Sequence, residues 1–62
     1  MTYQREIKRG VKVIWLNQDI AYGPYEFLYY LEERSRSILC EIGNINKAFS
    51  VATENVKIIK PS

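Results

Sequence analysis

This chain has one cysteine, Cys40, and no histidine in 62 residues. That pair of counts limits its folding options more than any other feature. Small domains usually reinforce a thin core with disulfides or a structural metal. A lone cysteine makes no internal disulfide, and structural zinc needs sets of Cys and His. At this size roughly 60% of the unfolded surface is buried on folding. The hydrophobic share of 47% is that of a folded domain, so apolar packing must hold the chain by itself. One small, metal-free, cofactor-free domain is the expectation.

The same counts bear on chemistry. Without histidine, acid–base work near neutral pH falls to a shifted carboxylate, lysine or cysteine. Cys40 sits among Ile38, Leu39 and Ile42 with no basic residue within three positions, the setting of a buried small hydrophobe. Glu32-Glu33 abuts Arg34 and Arg36 and reads as a solvated turn. Gly10, Gly23 and Gly43 are isolated, so no glycine loop cradles a phosphate. An enzyme, and a small-molecule substrate, are not expected. The longest apolar run, Val13 to Leu16, is far below the ~20 residues of a membrane helix. The first six residues lack the apolar centre of a signal peptide, so a soluble intracellular chain is expected.

Alternation predicts short strands. Val11, Val13 and Trp15 share a face, and Lys12 points the other way. A polar break at Asn17-Gln18-Asp19 precedes Ile20-Ala21-Tyr22 and Gly23-Pro24. Tyr25, Phe27, Tyr29 and Leu31 alternate with Glu26, Leu28 and Tyr30. Residues 24–34 also carry a helical pattern, with Pro24 at a first helical position and Phe27, Tyr30, Leu31 and Arg34 on one face. Aromatic density favours the strand. Turn signals follow at residues 33–36 and 43–46; residues 38–42, 47–52 and 56–59 complete the set. Five short strands with tight turns predict an all-β, five-stranded antiparallel barrel over residues 10–62, after a basic extension at 1–9.

Charge is uneven. Residues 1–12 carry +3, residues 13–46 carry −3 and residues 47–62 carry +2.

At Gly23-Pro24-Tyr25 the pattern resembles a family. A Gly10-Val11-Lys12-Val13 strand precedes it, Glu26-Phe27-Leu28 follows, and the chain closes on Val56-Lys57-Ile58-Ile59-Lys60-Pro61. Over about residues 9–61 this order looks like the C-terminal GPY/F domain of retroviral and gypsy-type retrotransposon integrases. The resemblance implies an SH3-like barrel. It also implies a non-catalytic tail that binds DNA with little sequence preference and joins integrase protomers or a chromatin protein in the nucleus. Outside such a complex the chain is expected in the cytoplasm. Arg5, Lys8, Arg9 and Lys12, joined by Lys57 and Lys60, are the candidate DNA contacts. With +2 overall and Asp19 in the loop before Gly-Pro-Tyr, weak contact is expected. Gly23 and Pro24 aim Tyr25 at the start of its strand. Eight aromatics exceed the needs of one thin core, so Trp15, Leu28 and Tyr30 are candidates for a protein interface, with Tyr3 and Tyr22 as further exposed rings. The alternative is a free-standing SH3- or Tudor-like interaction module unrelated to integrases.

Overall fold

Gln18 and Asp19 both take left-handed backbone angles (φ 51° and 66°) between the paired residues Asn17 and Ile20. Two such residues make the tight turn whose twist matches that of the strands it joins. The polar break expected at 17–19 is thus a hairpin tip, and Ile20–Tyr22 is strand. The computed structural model describes residues 6–59. It contains β1 (Lys12–Asn17), β2 (Ile20–Leu31), β3 (Arg36–Glu41), β4 (Asn44–Ala52), one 3-10 turn (Thr53–Asn55) and β5 (Val56–Ile58). All pairings are antiparallel, in the order β4-β3-β2-β1-β5. The five-stranded all-β architecture read from alternation is the one adopted, and residues 24–34 are strand and turn, not helix.

The sheet is curled. β4 and β5 are four strand spacings apart in the order, roughly 19 Å if the sheet were flat. Yet Ala52 and Val56 are joined by four peptide units, which span at most about 15 Å. The edges must therefore bend toward each other, as in a barrel. The core confirms the curl: Val13, Phe27, Leu39, Val51 and Val56, one from each strand, form a single buried cluster with Ile7. Ile7 precedes the expected domain start at residue 10. Its backbone N–H donates to Tyr30 Oη at 2.7 Å, so residues just before the barrel are part of its packing.

Two irregularities in β2 produce the bend. Val13 pairs with Tyr25 and Trp15 with Tyr22, so Gly23 and Pro24 together face one residue of β1. Proline, lacking an N–H, is tolerated in a sheet at such a bulge. Farther on, Phe27 pairs with Leu39 and Tyr29 with Ile38, which leaves Leu28 as an extra residue. A bulge reverses the alternation beyond it. Phe27 and Tyr30 therefore both face the core, while Tyr29 and Leu31 are 49% and 43% exposed. The sequence alternation had placed Tyr29 and Leu31 with Phe27; the extra residue at 28 is why they are not.

The buried polar residue in this region, Ser37, is satisfied. Its Oγ lies 2.7 Å from Thr53 Oγ1, tying β3 to the 3-10 turn that carries the chain to β5.

Candidate basic face and aromatic row

The two basic ends of the sequence meet on one surface. Val13 is fully buried, so its neighbours Lys12 and Ile14 point to the outer face. Ile14 pairs with Lys57, which puts Lys57 on the same face. The Ile59 N–H donates to Lys12 O at 3.1 Å, extending the register. Lys12 and Lys57 are thus diagonal neighbours, roughly 7–8 Å apart along the ladder. Lys8 and Arg9 approach through a turn at Gly10 (φ 91°), closed by the Val11 N–H to Lys8 O bond of 3.2 Å. All four cations are exposed. Arg5 and Lys60 lie outside the described residues. Glu26 is opposite Lys12 on β2 and half-buried, so a carboxylate lies beside these cations.

The inner side of β1 carries a different surface. Trp15 lies 5.4 Å from the Tyr22 ring and 5.8 Å from Phe49, and Phe49 meets Tyr25 edge-on at 4.9 Å. The Gly23–Pro24 bulge is what lets Tyr22 and Tyr25, three positions apart, reach one face. This gives the tripeptide its physical role in the fold. Centroid spacings under 6 Å mean that the rings fill each other's edges and faces. The row is a shelf of contacting rings. Tyr22, expected as an exposed ring, is 39% exposed and pairs with Trp15 across β1–β2; the Trp15–Phe49 contact has no signal in the sequence, because a contact between β1 and β4 depends on how the sheet curls.

The three residues expected at a protein interface separate. Leu28 is buried at 5% exposure with Ile38 and Cys40 in a second small cluster, so it offers no surface. Its apolarity, and that of both faces of residues 25–31, reflects packing on two sides of the sheet. Tyr30 is half-buried, edge-on to Phe27 at 4.8 Å, and holds the Ile7 segment through its hydroxyl. The Arg34 guanidinium stands 5.8 Å from its centroid. Trp15 is half-buried too and belongs to the aromatic row.

Cys40 is buried, and burial raises its thiol pKa above the ordinary 9.0; Glu26 adds to the rise and Arg9 opposes it. A raised folded pKa means the folded state holds its proton more tightly. Stability from this group is complete below pH 9 and is lost as pH climbs above it. In the folded chain at pH 8, alkylation of Cys40 by iodoacetamide is expected to be at least about tenfold slower than in denaturant. Equal rates, followed by mass spectrometry, would show an open thiol. Among the described residues no group of His, Cys, Asp and Glu is placed to hold a metal. A hollow of ≈ 400 Å³ lined by Arg34, Ser35, Ala52, Thr53 and Glu54 shares no residue with the basic face or the aromatic row. Comparison of the chain with protein-family models, curated proteins and solved structures gives no match in any of the three.

Proposed function

We propose that the chain is a non-catalytic binding module that holds nucleic-acid backbone on the face formed by Lys8, Arg9, Lys12 and Lys57. One observation carries the reading: β1–β5 pairing sets Lys12 beside Lys57, a cation 45 residues away in sequence. Clustered cations displace condensed counterions from phosphates without reading bases. The role agrees with the one implied by resemblance to integrase C-terminal domains. On that reading the chain works in the nucleus beside integrase protomers or a chromatin protein.

The test is charge reversal on the face against reversal off it. Lys12→Glu with Lys57→Glu should weaken binding to random-sequence duplex DNA at least about tenfold and make its salt dependence shallower by roughly two phosphate contacts. Lys47→Glu, at a residue 4.0 Å from Glu41 and outside the face, should change little. Equal losses from both substitutions would remove the assignment.

A second reading, a protein-binding module, is favoured by the aromatic row, where Tyr22 is 39% exposed beside Trp15. Trp15 is the sole tryptophan and reports on that row directly. A partner seated on the shelf shifts its emission. DNA held on the outer face leaves the emission unchanged.

A further inference from the structure

β4 and β5 are the two edges of the sheet. β5 is blunted as edge strands usually are, being three residues long with Lys57 at its centre. β4 has nine residues, and from Ala48 to Ala52 it contains no charge and no proline. In an antiparallel ladder, hydrogen-bonded and non-hydrogen-bonded pairs alternate. The Thr53 N–H to Ser35 O bond of 3.0 Å sets the phase. Phe49 and Val51, opposite Leu39 and Ser37, turn their backbone groups toward β3. Ala48, Ser50 and Ala52 turn theirs outward, to an edge that no other strand among the described residues pairs with.

The outward carbonyl of Ser50 is taken. Arg36, on β3, reaches over β4; its Nη2 donates to Ser50 O at 3.1 Å and its Nε to Ser50 Oγ at 3.1 Å. A charge therefore sits across the middle of the uncharged Ala48–Ala52 stretch of the longer edge.

We propose that Arg36 is a latch, and that the edge beneath it fits a second copy of this chain paired antiparallel about Ser50. In that register Ser50 faces its own mate, Ala48 faces Ala52, and Phe49 faces Val51. Every residue with outward backbone groups then meets another of the same kind, so the ladder continues without a mismatch. No like charges meet, and the outer-face side chains are small enough for close approach. An incoming strand must displace the guanidinium, so the latched chain stays monomeric through this edge.

Arg36→Met keeps the aliphatic stem and removes the donors. By sedimentation it should dimerise at least tenfold more tightly than the parent chain. Amide exchange at Ala48, Ser50 and Ala52 should slow in the dimer, while Phe49 and Val51 are already protected. Adding Ser50→Pro should restore the monomer, because the Ser50 N–H points away from β3 and its loss spares the inner ladder. An Arg36→Met chain as monomeric as the parent overturns the proposal, and so does a dimer indifferent to Ser50→Pro. If circular dichroism shows Arg36→Met unfolded, Arg36→Gln, too short to span to the Ser50 carbonyl, carries the same outcomes.

Discussion

Replacing Phe27 with alanine is expected to leave the chain largely unfolded at 25 °C. Phe27 is 1% exposed and sits where everything in the barrel converges. Its ring packs in the cluster shared by all five strands and meets Tyr30 edge-on. Its N–H donates to Val11 O and its carbonyl accepts from the Gly10 N–H, both at 2.9 Å. Truncation of a buried phenylalanine costs about 3–5 kcal/mol. A single core of this size supplies only about 3–5 kcal/mol of net stability. The two figures are equal, and with a single cysteine no internal disulfide stands behind the core. Loss of amide dispersion in a proton NMR spectrum checks the outcome. A cooperative melt only a few degrees below the parent would mean that the core is not centred on this ring.

Gly23→Val should be the most damaging change at any glycine. Gly23 has φ +130°, a conformation that side chains rarely adopt. A Cβ there would lie 3.2 Å from Val13 O and 3.2 Å from Tyr25 N, both backbone atoms that cannot swing aside. The added branch must push β1 from β2 at the bulge that bends the sheet. About 1–3 kcal/mol of backbone strain is expected, before the lost pairing is counted. Gly10 and Gly43 are the controls. Both are left-handed (φ 91° and 82°), but a Cβ at either meets nothing within 4 Å. Alanine at those sites should cost about 1 kcal/mol, or roughly 4–8 °C in melting temperature. If Gly23→Val melts no lower than Gly10→Ala, the close approach at the bulge has been misjudged.

The strands were legible because the barrel's inner face is written as alternation: Val11, Val13 and Trp15, or Phe49 and Val51. The turns at residues 32–35 and 42–43 were signalled by polar residues, Gly and Asn. The faces of β2 beyond Phe27 were not legible. A bulge at Leu28 has no glycine or proline to announce it, and one extra residue inverts everything after it. The break at Gln18-Asp19 was legible from its polar residues, but not that it is a two-residue hairpin turn, because it takes left-handed angles without the usual Asn-Gly pair. Of the site, the cations themselves were visible in the sequence. Their meeting depended on β5 returning beside β1, which is a property of the curled sheet. Of the aromatic row, Trp15, Tyr22 and Tyr25 were legible one by one, but not as a row, since Phe49 joins Trp15 and Tyr25 across the interior. Leu28 looked like a surface residue because a second cluster behind the sheet has no periodic signature of its own.

The central claim is that Lys12 and Lys57, set side by side by β1–β5 pairing, hold phosphates together with Lys8 and Arg9 from the turn before β1. The most direct measurement is the affinity of the chain for random-sequence duplex DNA as a function of salt. Four phosphate contacts predict a slope of log affinity against log salt of about −3.6, or roughly a hundredfold loss between 50 and 200 mM. Trp15 emission should stay constant throughout the titration. Affinity that is flat with salt, or absent at the lowest salt, would contradict the account.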